Sequence, residues 1–105
     1  MNLTHTFSAL GDPIRFAIVE RLLREGEQTA GELQTVAPVS APAISRHLKV
    51  LRGAGIVVRR VHRQQRIYSV QPAALQSISD WTMSHKEFWT GSLNRLDAAL
   101  QEGIT

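Results

Sequence analysis

The sequence predicts a small, mostly α-helical domain that carries one β-hairpin. Its 105 residues are enough for a single hydrophobic core. Apolar residues recur at helical spacing along most of the chain, whereas over residues 56–70 the period changes from 3.6 residues to 2, which is typical of strands. Apolar residues make up 43% of the chain and charged residues 20%, a balance that favours a folded core over disorder.

Two helices are predicted before residue 27. Asp12 and Pro13 are typical of a helix start, because the carboxylate accepts hydrogen bonds from free backbone amides and proline loses no bond at the first helical position. An apolar stripe then continues to Gly26, where we expect the helix to end. A shorter amphipathic helix precedes it and ends at Gly11. Its apolar residues are Leu3, Phe7 and Leu10.

Two further helices, joined by a tight turn, are predicted over residues 29–37 and 40–53. Thr29 and Glu32 have the spacing of a capping box, in which each side chain accepts a bond from the other residue's backbone amide. A proline ends the first of these helices, and Ser40 caps the second. The apolar residues of the second helix are spaced i, i+4, i+7 and form the stripe that we expect to be buried: Ile44, Leu48 and Leu51.

A β-hairpin follows the fourth predicted helix. Residues 56–61 and 66–70 are β-branched and aromatic runs, and both predict strands. The intervening residues 62–65 contain neither Gly nor Asn, which disfavours a tight two-residue turn. We therefore expect a looser connection at the tip of the hairpin.

The last segment predicts one long helix. Pro72 opens this segment, and apolar residues then keep helical spacing to near the C-terminus, which predicts a helix of about 28 residues and about 40 Å with Gly91 as a weak point. A small core cannot cover a helix of this length, so we expect its aromatic stripe to meet another subunit. The stripe comprises Leu75, Ile78, Trp81, His85, Phe88, Trp89, Leu93, Leu96 and Leu100.

The basic residues are concentrated in the middle of the chain. No acidic residue lies between Glu32 and Asp80, so residues 33–79 carry a net charge of +7 while the remainder carries −4. A one-sided positive field attracts phosphate polyanions, although a solvated basic face is the simpler interpretation. The seven basic residues are Arg46, Lys49, Arg52, Arg59, Arg60, Arg63 and Arg66.

Residue content disfavours several classes of function. The absence of cysteine excludes disulfides, thiol catalysis and cysteine-ligated zinc. No apolar run approaches the ~20 residues that cross a bilayer, and the N-terminus lacks the features of a signal peptide, so we expect a cytoplasmic protein with no membrane partner. The four histidines do not combine with carboxylates at metal-ligand spacing, and no catalytic motif occurs. We therefore expect no enzyme activity, no metal and no cofactor.

The helix pair and the basic hairpin together predict binding to double-stranded DNA. In a helix-turn-helix, the second helix lies in the major groove, and its exposed residues here are small, hydroxylated or basic. Arg46 is suited to a bidentate contact with guanine, whereas Lys49, Arg52 and the arginines of the hairpin are suited to phosphates or the minor groove. The predicted DNA-binding residues are Ser40, Pro42, Ala43, Ser45, Arg46, Lys49, Arg52, Arg60, Arg63, Gln64 and Arg66.

These motifs resemble the ArsR/SmtB family of winged helix-turn-helix repressors. The resemblance is carried by residues 7–15 (FSALGDPIR) and 40–57 (SAPAISRHLKVLRGAGIV), and it extends from residue 7 to about residue 70. It implies four helices, a two-stranded wing and a last helix, in that order. The implied organisation is a single domain over 1–105, with the helix-turn-helix at about 29–53, the wing at about 56–70 and a C-terminal dimerisation helix at about 72–102.

The resemblance also implies a homodimer that represses transcription by blocking a promoter. Metal-sensing members of the family carry paired cysteines before the recognition helix, or an Asp-x-His pattern on the last helix. Here residues 32–36 contain no thiol and Asp80 is followed by Trp-Thr, so the chain is similar to a metal-independent branch. Dimerisation through the first and last helices would use Leu3, Phe7, Ile78, Trp81, His85, Phe88, Trp89, Leu93 and Leu96.

Two other functions are compatible with the same residues. A winged helix can serve as a protein-interaction module whose aromatic last helix docks a different protein, although the basic middle of the chain favours DNA. Alternatively, an organic small molecule at a seam formed by Trp81 and Trp89 gates the repressor. The sequence itself identifies no small-molecule effector.

Three polar residues outside these sets have a structural interpretation. We expect His47 to pack or to bond a neighbouring helix rather than to contact a base. We expect Arg15 and Arg21 to neutralise Glu20 and Glu25 on the second helix.

Overall fold

A computed structural model describes residues 2–104 of the chain. Within this range, six helices and three antiparallel strands confirm a mostly helical fold with a small sheet. The helices are α1 (Leu3–Leu10), α2 (Pro13–Glu25), α3 (Ala30–Leu33), α4 (Ala41–Gly53), α5 (Pro72–Ser84) and α6 (Lys86–Ile104). The strands are β1 (Gln28–Thr29), β2 (Val57–His62) and β3 (Gln65–Val70), and a 3₁₀ turn at Gln34–Val36 extends α3.

The starts of α2 and α3 confirm the predicted caps. The Asp12 carboxylate accepts hydrogen bonds from the backbone amides of Ile14 and Arg15, at 2.9 and 3.0 Å. At α3, the amide of Glu32 donates to the Thr29 hydroxyl at 3.2 Å, and the amide of Thr29 donates to the Glu32 carboxylate at 3.0 Å. Both helices therefore begin where local side-chain chemistry satisfies amides that have no intrahelical partner.

Both ends of α4 are also defined by local chemistry. The Ser40 hydroxyl accepts a bond from the amide of Ala43 at 3.3 Å. At the other end, the amide of Ile56 donates to the carbonyl of Leu51 at 3.0 Å, and Gly55 has a φ of 76°. This pattern is a Schellman motif, in which a glycine in the left-handed region ends the helix and turns the chain towards β2.

The core lies where α2, α3 and α4 meet the sheet. The predicted stripe of Ile44, Leu48 and Leu51 is at most 2% exposed, which confirms the inward face of α4. Ile18 from α2 and Leu33 from α3 are fully buried in the same cluster. Burial of this stripe fixes which side of α4 faces solvent.

The sheet has the order β1-β3-β2 and includes a strand that the sequence did not predict. The short β1 pairs with β3 through Gln28↔Tyr68 and Thr29↔Ile67. Two residues are too few for an alternating pattern to be recognised in a sequence. Its position directly before α3 ties the hairpin to the start of the helix-turn-helix.

The tip of the hairpin is tighter than expected. His62 pairs with Gln65, so only Arg63 and Gln64 form the turn, and the prediction of a looser connection was wrong. Arg63 has a φ of 57°, in the left-handed region that a two-residue turn requires. The six paired residues of each strand hold this turn closed although it contains no Gly or Asn.

The single helix predicted over 72–102 is two helices in the structure. The backbone leaves helical geometry at His85, with φ −110° and ψ 25°, whereas Gly91 lies inside α6. Just before the break, the hydroxyls of Thr82 and Ser84 donate to backbone carbonyls of the preceding turn, at 3.0 and 2.7 Å. Such side-chain bonds compete with the helical ladder and bend helices, which gives the break a local cause.

The α6 helix extends away from the rest of the molecule. The described chain measures 64 × 29 × 21 Å. The large apolar side chains of α6 are exposed: Phe88, Trp89, Leu93, Leu96 and Leu100. Within residues 2–104, no helix combines the length and apolar content needed to cross a membrane.

Candidate nucleic-acid interface

The outer face of α4 presents the residues that the sequence predicts for DNA. Because the apolar stripe is buried, the remaining positions point away from the core. Ala43 is half-buried, and the others are exposed. The exposed set is Ser40, Pro42, Ser45, Arg46, Lys49 and Arg52. The structure thus brings together small, hydroxylated and basic side chains on one convex helical face, which suits entry into a major groove.

The arginines of the hairpin divide between the two faces of the sheet. Arg59 pairs with Tyr68 across the strands, and Val61 pairs with Arg66. Since side chains alternate along a strand, Arg59, Arg66 and the buried Tyr68 lie on the same face. That face packs towards α4, where both arginines join Lys49 and Arg52 in lining a cleft of about 210 Å³.

Arg60 lies on the opposite face and has an acidic partner. Its Nε and Nη2 atoms lie 3.0 and 2.9 Å from the same Glu27 oxygen, just before β1. The sequence prediction placed Arg60 among the DNA-binding residues and omitted Arg59. The structure instead places Arg59, not Arg60, on the α4 side. An aromatic residue such as Tyr68 is expected to face inwards, and side chains alternate along paired strands. This alternation could have shown in the sequence that Arg59, and not Arg60, shares the inward face with Tyr68.

The remaining predicted residues of the wing are at its tip or beside it. Arg63 and Gln64 form the exposed two-residue turn. Across residues 2–104, Arg60 is the only lysine or arginine of the 33–79 stretch that has a carboxylate within 4.0 Å. The other six positive charges of this stretch are therefore uncompensated within the described chain, and they gather along α4 and the wing.

His47 connects the recognition helix to α1 and α2, as predicted for a structural role. Its Nδ1 lies 3.3 Å from the Arg15 guanidinium and 3.9 Å from the Asp12 carboxylate. The Nε of Arg15 also donates to the carbonyl of Ala9 at 2.7 Å. Within residues 2–104, Arg15 has no ion pair with Glu20 or Glu25, so the expectation that it neutralises these glutamates was wrong. This contact set couples the start of α2 to the middle of α4.

Arg21 shows the predicted contact with Glu25, at 3.9 Å, and also donates to the Thr35 hydroxyl at 3.2 Å. The second bond links α2 to the 3₁₀ turn before α4. Arg21 is therefore held by contacts within α2 and with the turn that precedes α4.

The residues predicted for a dimer interface fall into two groups. Phe7 and Trp81 contact edge to face at 5.6 Å, and Trp81 contacts His85 at 5.5 Å, which joins α1 to α5 within the chain. Leu3 on α1 and Ile78 on α5 are half-buried. The residues of α6 form the second group, and they are exposed: Phe88, Trp89, Leu93 and Leu96.

The titratable side chains of the described residues do not gather into a metal site. Within residues 2–104, no group of three or more His, Asp or Glu side chains is placed to hold a metal ion. The backbone amide of Arg15, with further contributions from the charge of His47 and the amide of Ile14, lowers the pKa of Asp12. The amide and hydroxyl of Thr29 likewise lower the pKa of Glu32. Both shifts belong to helix caps.

The chain is similar to known transcriptional regulators over most of its length. A helix-turn-helix domain family matches residues 10–60. The chain is 41% identical over 87 residues to the HTH-type transcriptional regulator Rv2034 of Mycobacterium tuberculosis, covering 83% of this chain and 78% of that protein. It is 32% identical over 82 residues to the transcriptional repressor SdpR of Bacillus subtilis, covering 78% and 90%. A solved ArsR-like transcriptional regulator from Rhodococcus sp. RHA1 matches with a TM-score of 0.72 and 30% identity, over 90% of this chain and 88% of that one.

Proposed function

We propose that this chain, which belongs to the ArsR/SmtB family of DNA-binding transcriptional regulators, represses transcription as a homodimer bound to an inverted-repeat operator. The family is not a class of enzymes. Each α4 enters one major groove, and each wing lies against the flanking backbone. The partner is double-stranded promoter DNA. We place the protein in the cytoplasm, where such a target lies.

The proposal is supported by positive charge that has no acidic partner. Six basic residues of the 33–79 stretch have no acidic partner in the described chain, and they lie along α4 and the wing. Fixed cations without counter-ions create a local positive field that DNA phosphates neutralise. The small residues Pro42, Ala43 and Ser45 at the start of α4 allow close approach to base edges.

The exposed apolar face of α6 supports the homodimer. Large apolar side chains that face solvent along one helix are typical of an interface. A two-fold arrangement of two recognition helices requires half-sites about 34–36 Å apart, which predicts an operator with two-fold symmetry.

Fluorescence anisotropy on the chain's own upstream DNA and on a scrambled duplex tests the function. We expect tighter binding to the upstream DNA and a loss of about 10³-fold or more between 50 and 200 mM salt if six or more phosphates are contacted. Arg46→Ala should cost about 1–3 kcal/mol on the operator and little on scrambled DNA, whereas Lys49→Ala should weaken both equally. Flat, sequence-blind binding by the unmodified protein would contradict the proposed function.

A further inference from the structure

Two clefts between α4 and the sheet share one set of cations. The smaller, of about 210 Å³, runs from Ser45 and Arg46 towards Arg66 and Tyr68. The larger, of about 520 Å³, runs along the last turn of α4 to the start of β2. The residues that line both clefts are Lys49, Arg52 and Arg59.

The three shared cations come from two elements that pack against each other. Lys49 and Arg52 are three residues apart, so they lie on the same face of α4. Arg59 lies opposite Tyr68, and the 4% exposure of Tyr68 shows that this face of the sheet turns inwards towards the helix. Burial of Leu48, one residue before Lys49, fixes the rotation of α4 against the sheet.

The charge of this region is uncompensated. The residues lining the two clefts include no Asp or Glu. Within residues 2–104, no carboxylate lies within 4.0 Å of Lys49, Arg52 or Arg59. Three converging cations repel one another, and an anion held between them removes that repulsion and forms charge-assisted hydrogen bonds.

We propose that the clefts between α4 and β2 form a phosphate-binding site that holds a backbone phosphate of the bound DNA, with Arg59 as its strand-side ligand and Lys49 and Arg52 as its helix-side ligands. This inference rests on the proposed operator binding, and it places one backbone contact at the body of the wing rather than at its tip. The contact positions α4 and carries no sequence information of its own.

Accessibility and continuity favour a DNA phosphate over a free ligand. The three cations shared by both clefts are exposed, so a large polyanion can reach them from solvent. The smaller cleft continues to Ser45 and Arg46 on the exposed face of α4, so an anion here adjoins the proposed base-reading side chains. A backbone phosphate beside the groove meets both conditions.

The neighbouring Arg60 offers a matched control. Arg59 and Arg60 are adjacent arginines of β2, both are exposed, and each substitution by Gln removes one positive charge. Arg60 points to the other face and already contacts Glu27 at 2.9 Å. Arg59→Gln and Arg60→Gln therefore change the long-range electrostatic attraction to DNA by nearly the same amount, and they differ only in the local contact with the phosphate.

The experiment measures the affinity for operator and scrambled DNA against salt concentration for the full chain and its Arg59→Gln, Arg60→Gln and Arg59→Lys variants. We expect Arg59→Gln to reduce the slope of log Kd against log salt by about 0.9, which corresponds to one phosphate, and to weaken both DNAs by the same factor. Arg59→Lys should restore the slope, and Arg60→Gln should leave it unchanged. Equal slopes for Arg59→Gln and Arg60→Gln would overturn the inference.

A second arm separates the two sources of phosphate. Inorganic phosphate is titrated into the unmodified protein at constant ionic strength, and the amide signals of β2 and α4 are followed by NMR. We expect no saturable binding in the millimolar range. Saturable binding that Arg59→Gln removes, with an unchanged salt slope on DNA for the same variant, would assign the clefts to a free anion and overturn the backbone assignment. If the unmodified protein does not bind its operator more tightly than scrambled DNA, the proposed function is contradicted. If it does, but Arg59→Gln and Arg60→Gln have equal salt slopes, only the assignment of the clefts is contradicted.

Discussion

At the residue scale, the charge of Arg63 and its backbone angle φ affect different properties of the wing: the charge bears on DNA binding, and the angle bears on stability. Arg63 is exposed and has a φ of 57°. That region costs an L-residue about 1–2 kcal/mol, although asparagine tolerates it better than most. The pairing of β2 with β3 offsets this cost and holds the cation at the outermost point of the hairpin. Stability and DNA binding can therefore be changed independently at this position.

Arg63→Asn should weaken DNA binding without weakening the fold. Loss of the cation should reduce the salt slope by about 0.9 on operator and scrambled DNA alike, if the cation meets one phosphate. The melting temperature should stay the same or rise, because asparagine accepts a positive φ. Arg63→Val removes the same charge but should lower the melting temperature, since a β-branched residue resists this geometry. A lower melting temperature for the asparagine variant than for the valine variant would contradict the assignment.

Asp12 should make stability depend on acid pH. The amide of Arg15 holds the pKa of Asp12 below its ordinary value of 3.8 in the folded chain. A carboxylate with a depressed folded pKa stabilises the fold above its unfolded pKa, and this contribution is lost as the pH falls through the folded value. We therefore expect the melting temperature to fall as the solution is acidified below 3.8, and to fall less steeply in Asp12→Asn, which keeps a cap but does not titrate.

Circular dichroism melts from about pH 7 to about pH 2 measure this dependence. Glu20→Gln is the control, because Glu20 is exposed on α2 and takes no part in the cap. Its acid profile should follow that of the unmodified chain. Parallel profiles for Asp12→Asn and the unmodified chain would show that the cap does not carry the titration.

At the element scale, the features that were predictable are those defined by a few neighbouring residues. The caps at Asp12, Thr29 and Ser40 depend on side chains within three positions, so the sequence located the starts of α2, α3 and α4. The two-residue strand β1 and the tight turn at Arg63 depend on pairing with distant segments, which local pattern does not report. The break at His85 follows from Ser and Thr back-bonding rather than from the glycine that the pattern indicated.

The same distinction applies to the candidate site. The outward face of α4 was predictable, because helical spacing identifies the buried stripe and therefore its opposite side. The sequence did not show which of Arg59 and Arg60 faces α4, because that depends on which face of the hairpin packs against the helix. That packing is set by the register of Arg59 with Tyr68 and by the contact of Arg60 with Glu27.

The end of α4 gives a test with two glycines. Gly55 has a positive φ in the Schellman motif, so Gly55→Ala should destabilise the chain by about 1–2 kcal/mol. Gly53 is the last residue of α4, and nothing lies within 4 Å of an added Cβ there. Gly53→Ala should therefore stabilise by about 0.5–1 kcal/mol, because alanine loses less backbone entropy in a helix. Urea unfolding with an unchanged m-value measures both, and changes of the same sign would contradict the motif.

At the scale of the whole molecule, a single chain is unusually extended. Its radius of gyration is 18.2 Å, whereas a compact domain of about 100 residues has about 13 Å. The difference arises because α6 carries 19 residues beyond the core and exposes its apolar stripe. Residues 89, 93, 96 and 100 alternate spacings of four and three, which is the pattern of a helix that packs against another helix. We expect a second copy to place its own α6 against this stripe, to cover it, and so to bring two α4 helices to one operator.

The α6 stripe should therefore control oligomeric state and, through it, operator affinity. Leu93→Glu/Leu96→Glu places two charges in the apolar stripe, and burying them without partners is strongly unfavourable, so we expect a monomer of 11.7 kDa by sedimentation. Asn94→Glu/Ala98→Glu adds the same charge on the opposite face of α6 and should remain dimeric. On DNA, the leucine variant should lose the advantage of a full operator over a half-site, because two linked half-site contacts become one. If both variants sediment as the unmodified chain does, α6 is not the interface; if the leucine variant is monomeric yet still prefers the full operator, the homodimer is not the DNA-binding form.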